Sequence, residues 1–177
     1  MDEYLDIVDE NNRLTGQTKL KSEVHRDGDW HRASHIWIYN AHQELLFQLR
    51  SPDKDLFPDL WDITGGHVSA GESYEVAAVR ELEEELGVSA TVNDLTPLLI
   101  QKNKKIGNEY QKVFLLRCHQ TVDTFRLQEE EVSDIRFISL SDLRNQLNDP
   151  VERRRFCPVY DYYLSTLDLI ETQINNH

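Results

Sequence analysis

The stretch GGHVSAGESYEVAAVRELEEELGV, Gly65 to Val88, decides how the rest of the chain is read. Its first part is glycine-rich and polar and suits a loop. Ser73 then stands as a helix N-cap, and Gly87 supplies the left-handed stop with which helices commonly end. A helix between them advances about 100° per residue, so Ala78, Val79, Leu82 and Leu86 share one arc that can pack on a sheet. Glu81, Glu84 and Glu85, at i, i+3 and i+4, converge on a second arc, expected well away from the apolar one. A solvated helix face normally sets a Lys four residues after a Glu, whereas like charges at that spacing repel by about 0.2–0.5 kcal/mol. No Lys or Arg follows these glutamates within the helix, and Arg80 is the only nearby cation. The cluster repels itself unless something positive occupies the arc. Oxygen ligands without cysteines or a helical histidine pair suit a hard divalent ion, Mg²⁺ or Mn²⁺, better than zinc. A plain solvated acidic face is the alternative, and the helix alone leaves both open.

The 177 residues around this stretch, 39% of them hydrophobic, suffice for one compact domain with a core and are too few to expect two. Residues 1–177 are therefore read as a single domain. No run of about 18 apolar residues is present, so no membrane-spanning helix is expected. The start, MDEYLDIVDE, is acidic where a secretory signal is basic and then apolar. Cys118 and Cys157 are too few for a disulfide framework or a cysteine zinc cluster. These features set the expectation of a cytoplasmic protein. A formal net charge of -13 argues against nucleic acid or an anionic membrane as partner. A phosphate ligand then requires cations inside the site.

YLDIV, DENNR and LTGQT suggest a short hairpin turning at Asn11 and Asn12. SHIWIYN and ELLFQLR around AHQ suggest a central hairpin, and SPDKDLFPDLW, with two prolines, a loop. VSATV, LTPLLIQ, YQKVFLLRCHQ and IRFISL have the β-branched and aromatic content of strands. SLSDLRNQLND suits a short helix opened by Ser139 or Ser141, and Tyr163, Leu164, Leu167, Ile170 and Ile174 recur at helical spacing after Pro158. Mixed strands flanked by helices make an α/β or α+β sandwich.

The central stretch also matches G-x(5)-E-x(7)-R-E-U-x-E-E-x-G-U, U being a bulky aliphatic residue, through Gly66, Glu72, Arg80, Glu81, Leu82, Glu84, Glu85, Gly87 and Val88. From average residue frequencies such a match arises by chance in fewer than about one in a million chains of this size. By this pattern the chain resembles the Nudix superfamily. The resemblance implies an α/β/α sandwich with a mixed sheet, a loop-helix-loop that binds Mg²⁺ or Mn²⁺, and cleavage of a diphosphate linked to a group X. It implies Glu81 and Glu85 as main metal ligands, with Glu84 and the carbonyl of Gly65 beside them. Arg80 would orient Glu81, and Gly66, Glu72 and Gly87 would be structural. Glu81 would also serve as base, or a carboxylate from elsewhere would, with Glu109 and one of Glu129, Glu130 and Glu131 as candidates.

Outside the motif, EYLDIVDENNRLTGQ, HRASHIWIYNAHQELLFQLRSPDKDLFPDLWD and LQEEEVSDIRFISLSDL resemble the isopentenyl-diphosphate-isomerase-like branch. Its isomerases carry a cysteine where this chain has Gly65. His25, His31, His67 and Glu109 resemble part of the metal set of those isomerases, but Gly107 stands where a further glutamate would be. We therefore expect hydrolysis rather than isomerisation, and read the three histidines as polar loop residues rather than a metal site. Arg50 and Lys54, at i and i+4, match isomerase positions that hold the substrate diphosphate, Arg as a fork and Lys as a point charge. Arg153 to Arg155 are read as balancing an acidic surface, and Trp30, Trp37 and Trp61 as packing.

The expected function is Mg²⁺- or Mn²⁺-dependent hydrolysis of a nucleoside di- or triphosphate or a related X-diphosphate. The alternatives are isomerisation of isopentenyl diphosphate and nucleotide binding without catalysis. The expected partner is a small-molecule diphosphate, homodimerisation stays open, and QKNKKIGNEYQ and the segment around Trp61 are candidates for reading X.

Overall fold

Period-two alternation in the central strands sets the layering. The computed structural model describes residues 3–104 and 107–175. In chain order these form β1 (Tyr4–Val8), β2 (Leu14–Leu20), α1 (Lys21–Asp27), β3 (His31–Tyr39), β4 (Glu44–Arg50), β5 (Trp61–Asp62), β6 (Thr64–His67), α2 (Tyr74–Leu86), β7 (Leu95–Asn103), β8 (Glu109–Arg117), β9 (Val132–Ser139), α3 (Leu140–Asn148) and α4 (Tyr160–Asn175). Ile36 and Ile38 of β3, Leu46 of β4, and Phe114 and Leu116 of β8 pack with Leu82 and Leu86 of α2. The intervening Trp37, Leu45, Phe47, Val113 and Leu115 pack on the other face with Leu143 of α3 and Tyr163, Leu167 and Ile170 of α4. The result is the α/β/α sandwich expected, with a mixed sheet in which β3 and β8 run parallel and the other pairs antiparallel. No helix among the described residues is long and apolar enough to cross a membrane.

The predicted β3–β4 hairpin forms, but its strands meet only at Tyr39 and Leu45. Beyond that point they splay, and residues 61–67 enter the gap. β5 pairs with β4 on the edge that β3 has left, since β9 holds the other edge, and β6 pairs with β3 opposite β8. Ala33, Ser34, His35 and Ile36 face His67, Gly66, Gly65 and Thr64 in register. The glycine pair is thus fixed in the wedge between two half-sheets, directly before α2.

α2 has the predicted ends. Ser73 accepts from Val76 N–H at 3.2 Å, and Gly87, at φ 65°, donates its N–H to Glu83 at 3.0 Å while Val88 N–H reaches Leu82 at 3.0 Å. Ser73→Ala is expected to lower stability by about 1 kcal/mol with little change in m value, as read by urea unfolding. Ser139, not Ser141, caps α3.

Three expectations need correction. VSATV forms no strand: residues 88–91 are irregular and Val92–Asp94 make a 3-10 turn, so local propensity lost to the need to return from α2 to β7. Helix α1 was not expected, because it is short and has Leu20 rather than a polar residue at its N-cap. The glutamate arc is also not remote from the apolar arc. Glu85 lies only about 20° from Ala78 around the helix axis, and it is buried at 6% exposure.

Candidate active site

Arg80 organises the loop and helix. Its Nε and Nη2 donate to the two Glu72 carboxylate oxygens at 3.0 Å each, and Nη2 also reaches the His67 carbonyl at 3.0 Å. Nη1 donates to Glu81 Oε1 at 2.7 Å and to Glu84 Oε2 at 3.1 Å. Glu72 in turn accepts Ser69 N–H at 3.0 Å, closing the loop onto the helix. Arg80 thus relieves part of the repulsion that the sequence suggested, acting from the turn before the glutamates rather than after them. Gly66 is required by this packing, because a Cβ there would sit 2.2 Å from the Glu81 carboxyl carbon.

Glu85 is held differently. Its Oε2 accepts from Gln48 Nε2 at 3.0 Å, and Gln48 Oε1 accepts from Thr64 Oγ1 at 3.0 Å. Burial, reinforced by the charge of Glu81, pushes the Glu85 carboxyl up to about 8. Burial also raises Glu81, against the pull of Arg80. These two acids, Glu85 buried and Glu81 half-buried, have too little positive charge nearby, and that is the electrostatic fit for a divalent cation. Glu84, by contrast, has a side chain 54% exposed.

Glu81, Glu84, Glu85, Gly65 and Gly66 line one side of an open cleft of about 910 Å³. Arg50, Lys54 and Lys21 line it too. Arg50 is braced by the Leu56 carbonyl, at 3.1 Å from Nε and 2.9 Å from Nη2, and stands 3.5 Å from Asp62. Lys54 pairs with Glu131, which alone of the Glu129 to Glu131 triplet lines the cleft. Lys21 pairs with Glu3 at 2.7 Å.

Glu109 lies elsewhere. Its Oε1 is 3.6 Å from His31 Nε2 and 3.7 Å from His67 Nε2, and its Oε2 accepts from Gln111 at 2.7 Å. Burial opposes its ionisation, but the His31 contact and the Gln111 bond outweigh it and hold the carboxyl below the usual carboxylate range. His25 Nε2 is 3.2 Å from His67 Nε2, and donor atoms of His25, His31 and His67 all lie within 4.8 Å of one another. The loop reading of these histidines is therefore wrong: α1, β3 and β6 bring them together, and His31 is fully buried. His31 Nδ1 is 3.1 Å from the Asp29 carbonyl, which fixes the proton there and leaves a buried Nε2 with no hydrogen-bond partner. Burial pushes His67 down to about 3, so it stays neutral. Three imidazoles with donor atoms this close together, and a carboxylate beside them, fit a divalent transition ion. Among the described residues no three box carboxylates approach so closely, because Arg80 draws Glu81 and Glu84 while Gln48 holds Glu85.

A model of the NUDIX domain matches residues 29–160, three quarters of the chain and the whole of this site except the α1 side. The chain belongs to the Nudix family. Nudix hydrolase 3 of Arabidopsis thaliana is 40% identical over 158 residues, 83% of this chain, and this chain spans only 20% of its length. Isopentenyl-diphosphate Delta-isomerase 2 of Photorhabdus laumondii is 32% identical over 153 residues, 84% of either chain. The crystal structure of DR0079 from Deinococcus radiodurans superposes with a TM-score of 0.67 over 88% of this chain and all of that one, at 25% identity. The likeness to proteins of the isomerase-like branch, expected from the flanking segments, holds.

Within the Nudix fold, Arg50 and Lys54 line the same cleft as the box glutamates, and Glu109 is set apart with the histidines. Sequence reasoning missed Lys21, which carried no helix signal, and Gln48. A glutamine within the apolar run ELLFQLR was the available sign of the latter, since a buried amide needs a partner. Trp37 and Trp61 are buried as expected, while Trp30 lies 5.0 Å from the Tyr110 ring under Lys102. Arg153 to Arg155 are exposed and away from the cleft. Of the QKNKKIGNEYQ segment, Lys105 and Ile106 lie outside the described residues.

Proposed function

We propose that this Nudix protein hydrolyses a diphosphate linkage, in a nucleoside di- or triphosphate or a related X-diphosphate, with Mg²⁺ or Mn²⁺ held by Glu81, Glu84, Glu85 and the carbonyl of Gly65. One observation carries the proposal: these acids and the cations Lys21, Arg50 and Lys54 line a single cleft. A divalent ion bound there neutralises phosphate charge and makes a bound water more acidic. The cations take the diphosphate oxygens, Lys54 exchanging its bond to Glu131 and Lys21 its bond to Glu3 for phosphate. Arg80 holds Glu81 by Oε1 alone, which leaves Oε2 to take a proton from the attacking water. Burial raises the Glu81 carboxyl, which makes it a better base than a solvated carboxylate. Glu109 stays with the histidines and takes no part in this proton transfer. Membership of the family and the hydrolase name of its relative from Arabidopsis thaliana support the same reading.

The test is release of phosphate or pyrophosphate from a panel of nucleotide and isoprenoid diphosphates, with Mg²⁺, with Mn²⁺ and with chelator. Turnover that ignores chelation, or no turnover across the panel, overturns the proposal. Arg50→Ala and Lys54→Ala are each expected to raise KM about tenfold or more with a smaller change in kcat, as measured on the best substrate of that panel.

The convergence of His25, His31, His67 and Glu109, together with the isomerase names among the relatives, favours isomerisation of isopentenyl diphosphate as a second reading. Gly65 weighs against it. A side chain at this position would place its Cβ 2.7 Å from the Ser34 carbonyl and 3.0 Å from His35, so backbone packing excludes more than a missing thiol. Double-bond migration without phosphate release would establish this reading in place of the first.

A further inference from the structure

Strand β4 reads ELLFQLR, and its period-two alternation turns Gln48 to the same face as Leu46, toward α2. The amide placed there is 3% exposed. Burying an amide costs free energy unless both of its ends are bonded. Here Nε2 donates to Glu85 Oε2 and Oε1 accepts from Thr64 Oγ1, each at 3.0 Å. Thr64 and Glu85 are buried as well, so little solvent competes for these bonds.

The three residues sit on three elements that backbone pairing does not join. Thr64 opens β6 in register with Ile36 of β3, whereas Gln48 pairs with Asp62 of β5 and Ile135 of β9. The amide therefore crosses the wedge between the two half-sheets and ends on the last turn of α2.

Neither Gln48 nor Thr64 lines the cleft, whereas Glu85 does. Any effect of Gln48 on chemistry in the cleft passes through that carboxylate. The Glu85 side chain makes no other hydrogen bond among the described residues. Its Oε2 is pinned by a donor from outside the cleft, which leaves Oε1 for a cation. A carboxylate that ligates a cation can only accept hydrogen bonds, and the NH₂ end of an amide can only donate. The Thr64 hydroxyl, by giving its hydrogen to Gln48 Oε1, keeps the donating end turned to Glu85.

We propose that Gln48 is a positioning residue for the divalent ion: it aims Glu85 before the ion arrives, and Thr64 sets the polarity of its amide. The inference rests on the proposed function for the place of the ion. Loss of outer partners of this kind lowers metal affinity by about 10–100-fold.

Mg²⁺ affinity, read by calorimetry and by the Mg²⁺-dependent rise in urea midpoint, tests the role without turnover. Mg²⁺ is the probe because imidazoles bind it poorly, which keeps the histidine cluster out of the measurement. Gln48→Met, which keeps the length of the side chain and removes both bonds, is expected to weaken Mg²⁺ binding about tenfold or more. Thr64→Val is expected to weaken it about threefold or more, and Thr64→Ser, which keeps the hydroxyl, to stay within about twofold of the parent. Leu46→Val loosens the same face of β4 without a polar change, and is expected to lower the urea midpoint while leaving Mg²⁺ affinity within about twofold. A folded Gln48→Met that binds Mg²⁺ as tightly as the parent overturns the proposal. So does an affinity that falls as far in Thr64→Ser as in Thr64→Val, or as far in Leu46→Val as in Gln48→Met. Should Gln48→Met not fold, the Thr64 pair decides. The two readings fail separately. Weakened Mg²⁺ binding in these variants, with no hydrolysis by the parent across the substrate panel, leaves the positioning role and removes the hydrolase. Mg²⁺-dependent hydrolysis by a parent whose Mg²⁺ affinity none of the variants alters does the reverse, and a parent that takes up no Mg²⁺ removes both.

Discussion

Glu81→Gln and Glu85→Gln are each expected to lower kcat for metal-dependent diphosphate hydrolysis by about 10³-fold or more, a loss of roughly 4 kcal/mol in transition-state stabilisation. Both changes preserve shape. An amide oxygen at 81 can still accept from Arg80 Nη1, now at 2.7 Å, and an amide at 85 can still meet Gln48, now at 3.0 Å. What each removes is one negative charge from a wall whose acids, Glu85 buried and Glu81 half-buried, lack enough positive charge nearby. Under the proposed function this weakens the hold on the divalent ion, and at 81 it also removes the base. Glu83→Gln is the internal control, because Glu83 is exposed and its side chain accepts from the Ser89 hydroxyl at 3.1 Å, away from the cleft. Initial rates of phosphate release at saturating Mg²⁺, with Mg²⁺ affinity measured in parallel, check the expectation. Turnover in Glu81→Gln or Glu85→Gln equal to that of Glu83→Gln would remove the glutamate wall from the mechanism.

Much of this site was legible in the sequence because it lies on one helix with clear ends. Ser73 and Gly87 fix the phase of α2, and the phase alone places Leu82 inward and Glu81, Glu84 and Glu85 together. The layering was legible for the same reason, since strand alternation assigns Ile36 and Trp37 to opposite faces. What escaped was set by tertiary pairing. Nothing local in the alternation of SHIWIYN shows that β3 and β4 part beyond the Tyr39–Leu45 pair, yet that splay admits residues 61–67 and sets the glycine pair between the half-sheets. His25, His31 and His67 reside on three elements that meet only because β6 adds to β3, so their spacing carried no sign of convergence. The neutralising role of Arg80 does not show in one-turn helix spacing, which pairs a glutamate with a cation after it, whereas a guanidinium fork reaches forward along the helix and back to the loop.

Glu85 should also govern how the stability of the chelated protein depends on pH. Its carboxyl lies near 4.5 in the unfolded chain and is pushed up to about 8 in the fold by burial and the neighbouring Glu81. Between those values the native state keeps a proton that the unfolded state has lost, so unfolding releases a proton and stability falls as pH rises. The penalty is absent below pH 4.5, grows through neutrality and is complete above about pH 8. Its size is on the order of 3–5 kcal/mol, comparable with the whole margin of a marginal domain. A glutamine at 85 cannot ionise and keeps the bond to Gln48, so Glu85→Gln should unfold at higher urea than the parent at pH 8.5 and at nearly the same urea at pH 4.5. Other acids, such as Glu72 and Glu109, are shifted downward and weaken both proteins alike at low pH, so the difference between the two curves isolates Glu85. Mg²⁺ should narrow the gap at pH 8.5 by stabilising the parent, since an ion that binds the ionised carboxylate binds the native state alone. Parallel stability curves from pH 4.5 to 8.5, or a gap that Mg²⁺ leaves unchanged, would show that the buried carboxylate is neither strained in the free protein nor relieved by the ion. A widening gap that Mg²⁺ narrows would instead show one residue trading stability for function: the substitution that strengthens the free fold at alkaline pH is one of the two expected to weaken hydrolysis most.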